Sequence, residues 1–297
     1  MASHRPIGTA FITGANVGQG NLLAKRLADR GVRVFAGVLP GAPTDLEGDN
    51  RITLVEQDVS DGESVRKSAE IVDAALNGQG LDLLLNVAGV ANIAVGVIEG
   101  VKMEEVERIF QINTFGQLRV IQAFLPMLRR AKAARIANYS SGAIIANPVG
   151  SGPYNMTKHA IHGMTLTLRH ELAAFGIQVT SILPGGVLTG MSANAHANTL
   201  KTWHAQPDAV LAVYDKPLGN TVKQVLPDML EKSGSTPDEA VDQMMAILDQ
   251  PKWKPISYVG KDVKPMGLMR RLLSDSQLEK AIRSTFKIPT AKIPSPI

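Results

Sequence analysis

The sequence contains no cysteine. Disulfide bonds and thiolate-ligated zinc are therefore excluded, and cysteine usage gives no information about the redox compartment. No apolar run approaches the roughly eighteen residues that a membrane-spanning helix needs. The first residues, M-A-S-H-R-P, lead into a short apolar strand instead of the apolar region and cleavage site of a signal peptide. We therefore expect a soluble, unexported protein located in the cytoplasm.

Clustered metal ligands and a general basic surface are also missing. The six histidines form no H-x-x-x-H pair with a third ligand, so we expect no metal site. The net charge of +4 comes from the C-terminal end, where residues 251–297 carry ten Lys or Arg against three Asp or Glu. This distribution argues against a nucleic-acid partner. It leaves open a local contact with an anionic partner or a membrane surface, or packing against the protein's own pocket or a sister subunit.

The most informative stretch is residues 138–158, which read N-Y-S-S-G-A-I-I-A-N-P-V-G-S-G-P-Y-N-M-T-K. Ser140 and Ser141 end a predicted strand, and Tyr154 and Lys158 begin a predicted helix. Because residues i and i+4 share a helical face, the phenol and the ammonium would lie together, and a nearby cation stabilises a phenolate. Tyr154 could then exchange protons near neutral pH. The alternative is that Y-x-x-x-K occurs by chance and Tyr154 packs against the core.

A glycine-rich turn follows the first strand. The apolar run 7–13 leads into T-G-A-N-V-G-Q-G, and residues 20–29 then show helical spacing. Glycines at 14, 18 and 20 would let a phosphate approach the backbone, and the N–H groups at the start of the helix would attract its charge. This strand, turn and helix predict a dinucleotide site.

Strands alternate with helices along most of the chain. The predicted strands lie at 7–13, 32–38, 52–56, 81–86, 135–140 and 177–183, with a possible edge strand at 256–259. The predicted helices lie at 20–29, 64–76, 103–130, 154–175 and 237–249, the last opened by a capping box at Thr236. This order predicts an α/β fold with a doubly wound parallel sheet, the Rossmann fold, and ligands at the carboxyl ends of the strands. We expect one domain, 1–297, with a cofactor-binding and catalytic core at 1–189 and a substrate-binding extension at 190–297.

Five motifs together resemble the short-chain dehydrogenase/reductase family, in its order and spacing and over about two thirds of the chain. They are G-x-x-x-G-x-G at 14–20, N-V-A-G at 86–89, Asn113, Ser141 thirteen residues before the Y-x-x-x-K at 154–158, and P-G-G-V-L-T at 184–189. Two residues depart from the family pattern. Gln19 replaces a bulky apolar residue, and Val87 replaces the second Asn of N-N-A-G.

The resemblance implies an NAD(P)-dependent oxidoreductase with roles for particular residues. Ser141 would bind the substrate oxygen, Tyr154 would exchange its proton, and Lys158 would lower the Tyr154 pKa and hold the nicotinamide ribose. Asn113 would hold a water, its alternative being a solvated surface Asn. The implied cofactor-binding residues are Gly14, Asn16, Gly18, Gly20, Asp58, Asn86, Ala88, Gly89, Tyr154, Lys158, Pro184, Gly185, Val187 and Thr189.

Some of these assignments keep alternatives. Asp58 would meet the adenine edge, or it would be an acid near the start of the following helix. The position that selects between NAD and NADP falls at Val38 or Leu39, where no charged residue stands. The cofactor is therefore NAD or NADP, with a slight preference for NAD because the glycine loop contains no Lys or Arg.

The substrate is a small molecule. Segments such as V-F-A-G-V-L are similar to the branch that contains retinol, 17β-hydroxysteroid and 3-hydroxybutyrate dehydrogenases, and the Leu and Met content beyond Thr189 suits an apolar pocket. We expect a bulky lipophilic alcohol or ketone. The alternatives are a reductase of small polar carbonyl or acyl compounds and a dinucleotide-binding sensor without turnover. The resemblance also implies a homodimer or homotetramer assembled through helices 103–130 and 154–175.

Overall fold

The computed structural model describes residues 6–188 and 195–290, in which seven parallel strands form one sheet. The strand order is β3-β2-β1-β4-β5-β6-β7. The strands are β1 (Thr9–Ile12), β2 (Arg33–Val38), β3 (Ile52–Glu56), β4 (Leu83–Asn86), β5 (Arg135–Tyr139), β6 (Gln178–Pro184) and β7 (Ile256–Val259). The predicted doubly wound sheet is confirmed, and β7 occupies the edge expected for it. Each strand end differs from the prediction by two residues at most.

Helices cover both faces of this sheet because alternate strand residues point to opposite sides. On one face Ile12 packs with the helices at residues 18–29 and 237–248, and on the other Phe11 packs with the helices at 62–76 and 116–130. The helices are α1 (Gly18–Asp29), α2 (Gly62–Leu76), α3 (Met103–Phe110), α4 (Gly116–Arg130), α5 (Ala143–Ala146), α6 (Gly152–Glu171), α7 (Ala195–His204), α8 (Asp208–Asn220), α9 (Leu226–Ser233), α10 (Pro237–Leu248), α11 (Val263–Leu272) and α12 (Asp275–Thr285). Within the described ranges no helix is both long and apolar enough to cross a bilayer.

The spacing predicted one regular helix over residues 103–130, but the structure interrupts it. A π-helical turn at Gln111–Phe115 separates α3 from α4. Asn113 lies in this turn, where its side chain bonds across to the backbone of Val90. A widened turn of this kind often marks a functional site.

The chain beyond β6 forms two small apolar clusters against the loops of the core. Trp203 and Val222 pack with Val97, and Val263 packs with Ile144 and Leu278. The predicted capping box is present, since the Thr236 side chain accepts from Glu239 N–H and the Glu239 side chain accepts from Thr236 N–H. The C-terminal part therefore braces the loops at the carboxyl edge of the sheet.

Candidate active site

A cleft with a volume of about 1420 Å³ opens at the carboxyl ends of the central strands. The chain winds away in opposite directions from β1 and β4, and ligands of such sheets bind at this switch point. The predicted residues that line the cleft are Gly14, Asn16, Gly18, Gly20, Asp58, Ala88, Gly89, Ser141, Tyr154, Lys158, Pro184, Gly185 and Val187. Thr189 lies outside the described residues.

The glycine loop is held close to the neighbouring turn. A Cβ on Gly14 would lie 2.8 Å from Ala88 Cα, and one on Gly20 would lie 2.4 Å from the Gly14 carbonyl oxygen. The Thr13 hydroxyl accepts hydrogen bonds from the N–H groups of Val87 (3.0 Å) and Ala88 (2.9 Å). Thr13 was not among the predicted site residues, although its place before the first glycine was visible in the sequence.

The shape and polarity of this end of the cleft fit a dinucleotide. Helix α1 begins at Gly18 without a side-chain cap and without an acidic residue in its first turn, so its N–H groups are available to a pyrophosphate. The apolar side chains of Val17 and Leu39 are 68% and 48% exposed at the edge of the cleft, where an adenosine would cover them. These features fit NAD(P) better than an isolated phosphate.

Asn16 fixes the loop that follows β2. Its Oδ1 accepts from Leu39 N–H (2.7 Å), and its Nδ2 donates to the Ala42 carbonyl (3.1 Å). Both ends of the amide are therefore used by the protein. Asn16 shapes the ribose end of the cleft through these bonds.

Asp58 lies in the turn before α2 and also lines the cleft. One oxygen, Oδ1, accepts from the N–H (2.8 Å) and the hydroxyl (2.7 Å) of Ser60, which stabilises the turn before α2. The N-cap of α2 is Asp61, not Asp58. The place of Asp58 at the cleft is compatible with a contact to an adenine, and that contact stays a prediction.

Asn86 is the predicted cofactor residue that the structure does not bring into the cleft. Its side chain is fully buried and donates to Asn138 Oδ1 at 2.8 Å, inside the sheet. The cleft is lined instead by the three residues that follow it, Val87, Ala88 and Gly89. Asn86 therefore links β4 to β5, directly before the turn that lines the cleft.

The two serines after β5 have separate surroundings. Ser140 is buried and donates from its hydroxyl to the Lys158 carbonyl (2.7 Å), so it ties β5 to α6. Ser141 is more exposed, lies in the cleft, and accepts from Ala143 N–H at 3.1 Å. Ser141 is the hydroxyl that can reach a substrate.

Tyr154 and Lys158 share one face of α6, as the spacing predicted. Lys158 is 5% exposed, and its Nζ lies 5.5 Å from the centroid of the Tyr154 ring and donates to the Tyr139 carbonyl (3.0 Å). Burial lowers the pKa of the Lys158 ammonium to about 8. Burial also raises the pKa of Tyr154 above its ordinary value, and a hydrogen bond with the Ser141 hydroxyl opposes this only in part. Desolvation of the phenolate outweighs this hydrogen bond, and the expected lowering of the Tyr154 pKa by Lys158 stays a prediction.

Asn113 is fully buried, so the alternative of a solvated surface residue is wrong. Its amide spans the peptide of Val90, accepting from the N–H (2.8 Å) and donating to the carbonyl (2.9 Å), and it also donates to the Thr157 hydroxyl. The side chain has little capacity left for a water. A Cβ on Gly89 would lie 3.2 Å from Asn113 Oδ1 and 3.5 Å from Lys158 Nζ, so Asn113 and Lys158 flank the same turn.

Some lining residues were not predicted. Four come from α3 and the π-helical turn, where the sequence offered no recognisable motif: Glu104, Glu107, Arg108 and Gln111. No residue of the described part of the extension, 195–290, lines the cleft, so the expectation that its Leu and Met side chains form the pocket wall is not met there. The described ranges also contain no group of three His, Cys, Asp or Glu that could hold a metal ion.

A dinucleotide-shaped cleft with a serine, a tyrosine and a lysine at one end defines an NAD(P)-dependent dehydrogenase or reductase. The chain belongs to the short chain dehydrogenase family, whose model matches residues 8–200. It is an oxidoreductase that acts on CH–OH groups and the corresponding carbonyls.

Known proteins similar to this chain include two dehydrogenases. Retinol dehydrogenase 7 of Mus musculus is 32% identical over 73% of this chain and 69% of the relative. Mitochondrial D-beta-hydroxybutyrate dehydrogenase of Bos taurus is 33% identical over 72% of this chain and 66% of the relative. Among solved structures, a short chain dehydrogenase from Burkholderia cenocepacia in complex with NADP superposes with a TM-score of 0.70 at 26% identity, covering 95% of this chain and 98% of the other.

Proposed function

We propose that this protein interconverts a bulky lipophilic secondary alcohol and its ketone, using Ser141, Tyr154 and Lys158 for the chemistry. The observation that carries the proposal is that these three side chains line the cleft into which the glycine loop also opens. Hydride exchange with the substrate carbon is the chemistry that a nicotinamide supplies when bound.

Side chains of the protein transfer the proton to or from the substrate oxygen. The Ser141 hydroxyl donates a hydrogen bond to the substrate oxygen, and the Tyr154 phenol gives or takes the proton at that oxygen. Because burial raises the pKa of Tyr154, the phenol holds its proton at neutral pH and is ready as an acid for ketone reduction. The Lys158 ammonium, held by the Tyr139 carbonyl, supplies positive charge beside the ring.

Replacing Tyr154 with Phe tests the assignment. Tyr154→Phe should lower kcat by about a hundredfold or more, the usual contribution of a general acid, and leave NAD(P) affinity within about threefold of wild type. The matched control is Tyr258→Phe, which removes a phenol on β7 outside the cleft and should change neither quantity. Steady-state rates and nicotinamide fluorescence titrations measure both. Wild-type turnover by Tyr154→Phe would refute the role of this phenol.

The substrate class is supported by the relatives. The similarity to retinol dehydrogenase 7 favours a bulky lipophilic alcohol. The comparable similarity to D-beta-hydroxybutyrate dehydrogenase favours a second candidate, a small hydroxy acid. A panel that pairs retinol and steroid alcohols with 3-hydroxybutyrate separates the two, and kcat/KM at least tenfold higher for the small acid would reject the first.

The preferred cofactor in this proposal is NAD. In the loop after β2, Asp45 Oδ2 is paired with Lys25 Nζ at 2.7 Å. Asp45 also accepts from Asn21, which in turn donates to the Asn16 carbonyl, so a carboxylate lies close to the ribose end. Because Lys25 is already paired, it does not offer a free cation to a 2′-phosphate, which NADP-binding sites usually provide.

Titration with both dinucleotides tests this preference. Wild type should bind NAD at least tenfold more tightly than NADP, and Leu39→Arg should narrow or reverse the ratio by adding a cation at the edge of the cleft. The control is Leu268→Arg, at an exposed leucine on α11 outside the cleft, and it should leave the ratio unchanged. Tighter binding of NADP by wild type would reject the preference.

We also propose a homodimer or homotetramer assembled through residues 103–130 and 154–175. The outward faces of this region carry exposed apolar side chains, including Phe115 (42% exposed), Met156 (48%) and Phe175 (59%). Light scattering after gel filtration gives the mass in solution. Met156→Glu should shift the mass toward the monomer, and a wild-type protein of monomeric mass would reject the assembly.

A further inference from the structure

The turn 184–188, which forms one wall of the cleft, is held by contacts on several sides. Gly142 N–H donates to the Pro184 carbonyl (2.7 Å), and Gly185 N–H donates to the Val259 carbonyl (2.8 Å). Ser235 brackets the far end, because its N–H donates to the Gly186 carbonyl and its carbonyl accepts from Leu188 N–H. These contacts are all between backbone groups.

One side chain completes this set, and it comes from the C-terminal extension. Asp262 Oδ2 accepts the Gly186 N–H at 2.9 Å. The carboxylate reaches the turn because the chain reverses after β7 at Gly260, whose φ is +125°. Asp262 does not line the cleft itself, so any effect on a bound cofactor must pass through the turn.

The other carboxylate oxygen explains why residue 185 is glycine. A Cβ on Gly185 would lie 1.8 Å from Asp262 Oδ1, well inside any tolerated contact. The φ of Gly185 is not positive, so backbone conformation alone does not call for glycine there. Asp262 Oδ1 is buried and has no hydrogen-bond partner among the described residues. This arrangement costs stability, which suggests that the position of the carboxylate serves another purpose.

From these contacts we propose that Asp262 is a positioning residue for the cofactor, which sets the Gly185–Gly186 turn through a charge-assisted hydrogen bond. Such a bond is shorter and stronger than one between neutral groups, and it fixes the direction of the Gly186 amide. The inference rests on the proposed function to the extent that this cleft binds NAD(P). It gives the extension, none of whose described residues lines the cleft, a role in cofactor binding.

Three substitutions at residue 262 test the hydrogen bond. Asp262→Ala should weaken NAD(P) binding by about tenfold, while Asp262→Asn should stay within about threefold because its amide oxygen can accept the same N–H. Asp262→Glu keeps the charge but displaces the carboxylate, so its NAD(P) affinity should resemble that of Asp262→Ala. If Asp262→Ala does not fold, Asp262→Glu provides the same test. Asp275→Ala, which removes an exposed carboxylate at the start of α12, is the matched control and should bind as wild type.

The cofactor-free protein provides a second readout. Amide hydrogen exchange at Gly186 should be at least tenfold faster in Asp262→Ala than in wild type and close to wild type in Asp262→Asn. A merely structural contribution of Asp262 would lower thermal stability without singling out this amide.

A double substitution tests the contact with Gly185. Gly185→Ala should impair NAD(P) binding strongly in the wild-type background, whereas Gly185→Ala with Asp262→Ala should bind within about twofold of Asp262→Ala alone, since the clash is removed. Wild-type affinity and exchange in Asp262→Ala, or an equal penalty for Gly185→Ala in both backgrounds, would overturn the inference. Failure of the wild-type protein to bind NAD(P) would instead overturn the proposed function.

Discussion

Lys158 is a charged side chain held where little water reaches it. Its burial lowers its pKa to about 8 from the 10.5 of a solvated lysine, because the charged form loses hydration. Between these two pH values the folded protein binds fewer protons at this site than the unfolded chain does. The free energy of unfolding therefore rises with pH across this window, and the full penalty, about 3 kcal/mol, is present below pH 8.

Replacing Lys158 with Met should therefore stabilise the protein while abolishing its activity. At pH 7 the free energy of unfolding of Lys158→Met should exceed that of wild type by up to about 3 kcal/mol, and the gap should shrink as pH rises from 8 toward 10.5. The Tyr139 carbonyl that loses Lys158 Nζ keeps its hydrogen bond from Gln117. Urea unfolding at pH 7 and pH 9.5 measures the gap. The exposed control Lys264→Met should change stability by no more than about 0.5 kcal/mol at either pH, and a pH-independent gap for Lys158→Met would contradict the account.

Residue chemistry that depends on spacing could be read from the sequence, whereas chemistry that depends on burial could not. The i, i+4 relation of Tyr154 and Lys158 follows from helix geometry and was confirmed. The desolvation that raises the pKa of Tyr154 could not be read from the sequence, because it depends on how the fold packs around the ring. The Asn86 side chain likewise turned into the sheet, toward Asn138, a partner 52 residues away.

At the scale of secondary-structure elements, the loops at the carboxyl ends of the strands hold one another in place. Thr13, at the end of β1, accepts both the Val87 and Ala88 N–H groups of the turn after β4. The strands themselves were predictable from apolar runs bounded by glycine. The π-helical turn at Gln111–Phe115 was not, because it depends on the bonds of Asn113 to a distant loop.

Thr13→Val should show how much the glycine loop depends on this link. Valine has a similar shape but leaves two partly buried N–H groups without this partner, which should lower the free energy of unfolding by about 1–3 kcal/mol and weaken NAD(P) binding several-fold. Thr180→Val is the matched control, because Thr180 is as deeply buried and its hydroxyl pairs, within the described part of the chain, with the Ser257 hydroxyl. It should cost about 1 kcal/mol without changing cofactor affinity. Equal effects of both variants on affinity would argue against a special role for Thr13.

On the scale of the whole molecule, the sheet and its two apolar faces build the cofactor cleft, and the extension braces the loops around it. The family model ends at residue 200, yet Asp262, Ser235 and Trp203 all contact loops of the core. Their contacts join residues far apart in the chain, so sequence spacing gave no sign of them. The extension was expected to bind substrate. Testing this requires an experiment that separates an effect on the loops around the cleft from an effect on the stability of the whole protein.

The two tryptophans of the chain allow that test. Both are buried, but Trp203 packs with Val97 and Val149 beside the loops that flank Ser141 and Tyr154, whereas Trp253 packs in the main core. Trp203→Leu and Trp253→Leu should each lower the free energy of unfolding by about 2–4 kcal/mol. Only Trp203→Leu should raise the KM for substrate several-fold with NAD(P) affinity unchanged, because its cluster does not touch the glycine loop. Matching KM values in the two variants, measured well below both melting temperatures, would show that the Trp203 cluster contributes stability alone.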